Sequence, residues 1–140
     1  MIMKNIVGIL ILMVVSTNVM SEWTKISEAN HANRTPYVEY HSILKKDNKV
    51  KMSTLTDFKK AEKYGNNKLL SMVSRDEYDC GTKTIRLLDI YGYSGNMKTG
   101  DIVFSDSDIK AVPQSIKTGS IEEIFFELAC HSPEFYGGSS

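Results

Sequence analysis

Cysteine is scarce in this 140-residue chain, which has two, while tryptophan occurs once and proline three times. Two thiols exclude a cysteine-rich scaffold and a four-cysteine zinc site. Surplus charge is also lacking. Seventeen Lys and Arg face seventeen Asp and Glu, so no bulk field exists to gather nucleic acid or an anionic membrane. Lys45-Lys46 and Lys59-Lys60 are short basic stretches flanked by acids and are read as solvated faces. Long apolar runs are missing too. The one run, Ile6 to Val15, is about half the roughly twenty residues that a spanning helix needs.

That short run has the form of an export address. Lys4 gives a positive start, the apolar run is broken only by Gly8, and Ser16-Thr17-Asn18 begins a polar exit. Val19-Met20-Ser21 sets a small residue at the cut, so residues 1–21 are expected to be a secretory signal cleaved before Glu22. No cysteine lies near the cut to accept a lipid, so the processed chain is expected to have no membrane anchor. One domain, 22–131, and a flexible tail, 132–140, are expected to remain. The processed chain loses one lysine and no acid, for a net charge of −1.

Export changes the meaning of two thiols. In an oxidising compartment Cys80 and Cys130 are read as a disulfide, the alternatives being a catalytic Cys with a His partner or a metal ligand. Those alternatives find no support in His31, His41 and His131, which form no motif. A bridge closing a loop of this length disfavours the unfolded chain by about 4 kcal/mol.

Period-two patterning dominates the middle of the chain. Trp23 to Ser27 opens as a short strand, Glu28 to Arg34 reads as a loop, and a strand starts after Pro36, possible only where a missing N–H is tolerated. His41 to Asn48 reads as a turn through Ile43. From Lys49, Val50, Met52 and Phe58 alternate with polar residues, giving a strand with one wet face. Lys59 to Lys68 reads as a polar loop. Leu70, Met72, Ser74, Asp76, Tyr78 and Cys80 share one face of the next strand, taken as the inner one, and Gly81-Thr82-Lys83 reverses the chain. Thr84 to Tyr93 is apolar on both faces, as suits a central strand. Gly92 to Gly100 connects it to a last short strand, Asp101 to Phe104.

The chain closes on a helix. Ser120 and Glu123 make a capping box after Gly119, and Ile121, Ile124, Phe125 and Leu128 form an i, i+3, i+4, i+7 stripe expected to be buried. Cys130 falls about 180° from Ile121 and groups with Phe126 and Ala129. Either the helix buries two sides, one on the sheet and one against a loop or second subunit, or, as favoured here, it frays before Cys130 and releases it to the bridge. The fold class is therefore α+β: about six antiparallel strands and a C-terminal helix tethered by a disulfide.

Several blocks together carry a resemblance. They are Trp23, Tyr37-Val38 before Ser42-Ile43, Glu77-Tyr78-Asp79-Cys80 followed by Arg86-Leu87-Leu88, Tyr93-Ser94-Gly95-Asn96-Met97, and the ending from Gly119-Ser120 to Cys130. With the signal segment, these resemble the surface-adhesin protein E family of Gram-negative envelope proteins. The resemblance implies a bent sheet with the helix on its concave face. It also implies binding of host extracellular-matrix or serum proteins such as vitronectin and laminin, with dimerisation as a further family property. Two departures stand out. Before the helix this chain has Lys110-Ala111-Val112-Pro113 and Lys117-Thr118-Gly119-Ser120, where relatives often carry Trp and Pro-Gly-Ser. The founding adhesin is a lipoprotein, whereas this chain lacks the lipid-accepting Cys. Residence in the periplasm, at the cell surface or in the medium is expected, the soluble locations fitting better.

Other motifs are weak. Asn33-Arg34-Thr35 matches a glycosylation sequon by chance, Gly92, Gly95 and Gly100 lack phosphate-loop spacing, and Asp106-Ser107-Asp108 has too few oxygens for calcium. No catalytic residue, cofactor or metal is expected, and no single ligand-binding residue is designated. The leading expectation is a non-enzymatic binding protein using sheet edges, the segments around 59–68 and 93–100, and some of its tyrosines. A periplasmic structural or inhibitory module acting on another envelope protein is the alternative, and a small hydrolase comes third.

Overall fold

The computed structural model describes residues 22–132. The expected signal segment, and all of the expected tail except Ser132, lie outside the described residues. Seven strands and one helix follow in order: β1 (Thr24–Lys25), β2 (Arg34–Lys46), β3 (Lys49–Tyr64), β4 (Asn67–Asp79), β5 (Thr84–Tyr93), β6 (Ile102–Asp106), β7 (Gln114–Ser115) and α1 (Ile121–His131). A single 3-10 turn, Ser27–Ala29, lies between β1 and β2. All pairings are antiparallel, in the order β1-β2-β3-β4-β5-β6, with β7 added beside β5.

Two stretches read as irregular are strand. β2 continues through His41 to Lys46 past a register shift between Glu39 and Leu44, so Ile43 is a buried residue of a bulged strand. Residues 59–68 form the far end of the β3–β4 hairpin, closed across Tyr64 and Asn67 with Gly65 at φ 59° in the turn. Both faces of this end are exposed. It therefore carries none of the hydrophobic alternation by which strands are recognised.

One face of the sheet and the helix enclose the core, which includes Val38, Ile43, Val50, Met52, Tyr78, Phe126 and Ala129. Tyr78 and Phe126 rings lie 6.4 Å apart. The helix seats itself differently from the expected stripe. Phe126 and Ala129 are its buried residues, while Ile121, Ile124, Phe125 and Leu128 are only partly covered. Ala129, with 0% exposure, has too small a side chain to hold the helix off the sheet. The helix also remains helical through Cys130 to His131, correcting the expected fraying. No unwinding is needed, because Cys130 adjoins the side that faces the sheet.

The Cys80–Cys130 disulfide joins the β4–β5 turn to the last turn of α1, with Cα atoms 5.8 Å apart. At the other end of the helix, Ser120 Oγ accepts the Glu123 amide at 3.2 Å. The return arm of the capping box reaches one residue further back, Glu123 Oε1 accepting from the Gly119 amide at 3.2 Å. Lys83, from the same turn as Cys80, pairs with Glu123 at 2.8 Å, so one turn anchors both ends of α1.

At its far end the sheet rolls. Tyr64 of β3 packs on Phe104 of β6 with ring centroids 4.6 Å apart, although those strands are three steps away, roughly 14 Å in a flat sheet. Gly92, opposite Phe104 in the register, makes room: a Cβ there would run into the Phe104 ring. Gly92→Ala is expected to cost about 1–3 kcal/mol by overpacking. In urea titrations, Phe104→Ala in the same chain should cost less than it does alone, because the two sites are coupled.

Candidate binding surfaces

Three surfaces follow from this arrangement. The first is a groove of about 750 Å³ between β1 and the outer side of α1. Its floor is Ile26, Tyr40, Ile124 and Leu128, and Glu28, Glu127 and His131 stand on its rim. It exists because α1 carries apolar residues on more than one side while the sheet covers only the Phe126–Ala129 side. Helix-period reasoning found Ile124 and Leu128 but assigned them to the core; Ile26 and Tyr40 were missed as partners. Glu127 and His131 are 2.9 Å apart, and Lys45 Nζ donates to Ser132 O at 2.6 Å, fixing the helix end against β2.

Beside the groove runs an open strand edge. β1 pairs only with Tyr37 and Val38, so the outer rim of β2 runs on past the end of β1. Such a rim can accept an extended segment through main-chain hydrogen bonds.

The second surface is the connection after β5. Asn96 Nδ2 donates to Asp57 Oδ1 at 3.1 Å and to Phe58 O at 2.9 Å, and the Met97 amide donates to Asp57 Oδ1 at 2.8 Å. Ser71 Oγ donates to Gly95 O at 2.6 Å and accepts from the Lys98 amide at 3.0 Å. Residues 93–100, expected to be a polar loop used in binding, are thus hydrogen-bonded across β3 and β4. They also bury Ser71 completely. The tyrosines divide likewise: Tyr78 is core, Tyr40 packs against it, and Tyr64 stays half exposed.

The third feature is a small polar space of about 230 Å³ between the sheet and the start of α1, lined by Arg34, Thr54, Ser74, Asp76, Tyr78 and Glu122 among others. Asp76 is 8% exposed. Its Oδ2 accepts from Ser74 Oγ at 3.1 Å, and Ser74 and Thr54 hydroxyls are 3.0 Å apart. Burial pushes the Asp76 carboxyl up to about 6, the Ser74 hydrogen bond opposing it and the Glu122 charge adding to it. The Tyr78 hydroxyl is raised well above its ordinary value by the same burial and by Asp76. A perturbed carboxyl is a recurrent mark of catalytic sites. Here it is buried beneath the helix, and all three histidines lie exposed elsewhere.

Asp108, from the weak cation motif, donates its amide to Asp89 Oδ1 at 3.1 Å, and Asp89 also pairs with Arg75 at 2.7 Å. Among the described residues no three His, Cys, Asp or Glu side chains are grouped to hold a metal ion, and no helix is long and apolar enough to cross a membrane.

Antiparallel sheet, terminal helix and a disulfide joining them define a clasped α+β module. The chain belongs to the surface-adhesin protein E family, whose sequence model matches residues 23–131. Among solved structures it is similar to protein E from non-typeable Haemophilus influenzae, at 13% identity and TM-score 0.60, covering 86% of this chain and 84% of that one. A second Haemophilus influenzae protein E structure aligns at 14% identity and TM-score 0.59, covering 89% and 92%. At such identities the likeness concerns the fold. No curated protein sequence matches the chain significantly.

Proposed function

We propose that this protein is a non-enzymatic, exported binding protein of the bacterial envelope, and that its ligand is a host extracellular-matrix or serum protein of the vitronectin or laminin kind. The observation that carries the reading is the partly exposed apolar stripe Ile124–Leu128, which lines a groove beside a β2 rim that β1 pairs only at Tyr37 and Val38. An extended segment laid along β2 would place alternate side chains over Ile26, Tyr40, Ile124 and Leu128. Membership of an adhesin family supports a binding role, whereas fold alone would not.

The test is interferometry of the purified protein on immobilised vitronectin and laminin. Binding is expected, and Ile124→Ser with Leu128→Ser should weaken it by at least about tenfold, as truncating central apolar anchors does. Absence of binding to either protein would remove the host-protein reading. Unchanged affinity in the double variant would move the site away from the groove.

A further inference from the structure

We propose that the far end of the β3–β4 hairpin is a binding site for a sulfated polysaccharide, a ligand class independent of the protein-binding groove. Net charge conceals this feature. The hairpin end carries Lys59, Lys60, Lys63 and Lys68 against a single acid, Glu62, and every residue from 59 to 68 is exposed.

The register concentrates the charge further. Lys63 and Lys68 are direct cross-strand partners, an arrangement that costs stability because like charges face each other. The one acid does not relieve it. Asn33 Nδ2 donates to Glu62 Oε1 at 2.9 Å, turning the carboxylate toward the β2 side. Asn33 also accepts the Lys60 amide at 2.8 Å and donates to Lys60 O at 3.2 Å, so this placement is held from several directions. Among the described residues none of the four lysines makes an ion pair. Lys63, Asn66, Asn67 and Lys68 line a shallow concavity of about 300 Å³ at the tip together with Glu62, so ammonium and amide donors outnumber the one carboxylate, which Asn33 engages.

The partner's chemistry follows from what the tip contains and lacks. Gly65 and Asn66 make the turn, and the half-exposed Tyr64 ring rests on Phe104, so the lysines are the main feature that the tip presents. The cations are all lysines, compact charges without the forked geometry of arginine, suited to many anionic groups in varied orientations. Lys63 and Lys68, as direct cross-strand partners, have side chains that leave the sheet on one face roughly 5 Å apart. A semi-rigid chain bearing closely repeated sulfates spans that distance while losing less conformational freedom than a flexible acidic peptide.

The test uses the purified full chain and an immobilised heparin oligosaccharide. Binding is expected at about 0.1 M salt and should vanish near 1 M, as the screening length falls from about 10 to about 3 Å. Lys63→Gln with Lys68→Gln should weaken it about tenfold. Lys110→Gln with Lys117→Gln removes the same charge from exposed positions elsewhere and should change it less than about twofold. The Lys63/Lys68 variant should melt no lower than the parent, since it relieves a repulsion. The proposal is overturned by no binding, by equal losses in the two double variants, or by equally tight binding to polyaspartate or to phosphatidylglycerol vesicles.

Discussion

Cys80→Ser and Cys130→Ser should each lower the unfolding free energy by about 4 kcal/mol, and the double variant should lose no more than either alone. The equality follows from topology, since both changes release one tether that closes a fifty-residue separation in the unfolded chain. The magnitude is a large share of the 5–15 kcal/mol that typically holds a domain folded, so the single variants should populate unfolded states at modest temperatures. Local packing sharpens the case. Cys80 follows directly on Asp79, whose Oδ1 accepts the amides of Gly81 and Thr82 at 3.0 and 3.1 Å, and the Cys80 amide donates to Asn48 O at 2.8 Å. The turn is therefore already ordered on the sheet, and the freed partner is the helix. Urea titrations of the three variants check this. Unequal losses in the two single variants would mean that one cysteine also contributes something besides the bridge.

Asp76→Asn should stabilise the protein near neutral pH, and the gain should disappear in acid. The sign follows from burial. The folded state raises this carboxyl from 3.8 to about 6, so between those values the folded protein holds a proton that the unfolded chain has released. Stability from this group is then full below about 4, falls as pH rises toward 6 and is constant above it. The difference amounts to at most about 3 kcal/mol. Asn is uncharged throughout and keeps an oxygen to accept from Ser74, so it avoids the cost of a buried charge beside Glu122. Asp79 and Glu123 have carboxyls lowered by hydrogen bonds, the Thr82 amide and Lys83 being the leading partners. Their contributions run the other way with pH, so the informative quantity is the difference between parent and variant. It should be near zero at about pH 4 and approach its maximum at about pH 8. A difference independent of pH would show that Asp76 is not the titrating group.

Much of this fold could be read before its coordinates. The shared parity of Asp76, Tyr78 and Cys80 placed a carboxylate, a ring and a thiol on one face, and Asp76 and Tyr78 are buried there. The pairing of Cys80 with Cys130 needed only export and the lack of other thiols. The helix was legible in its start at the Ser120 cap but not in its end or in which side the sheet would cover. Apolar residues at 121, 124, 125 and 128 outnumber those at 126 and 129, and periodicity weighs bulk, whereas the sheet selects the side where Ala129 permits close approach. Residues 59–68 were unreadable as strand because a hairpin wet on both faces has no alternating pattern; the Gly65-Asn66 turn was its one signal. The anchoring of 93–100 depends on Asp57 and Ser71, whose partnership with Asn96 and Gly95 spans 24–39 residues and leaves no local trace. Likewise, Lys63 and Lys68 become a pair only once the register is fixed.

Hydrogen exchange of the oxidised and reduced protein tests the central arrangement most directly. If the sulfur bridge holds α1 on a sheet that is otherwise self-sufficient, reduction should strip protection from amides in 121–131 while those of β3, β4 and β5 remain slow. Helix amides that exchange equally slowly with and without the bridge would contradict the account.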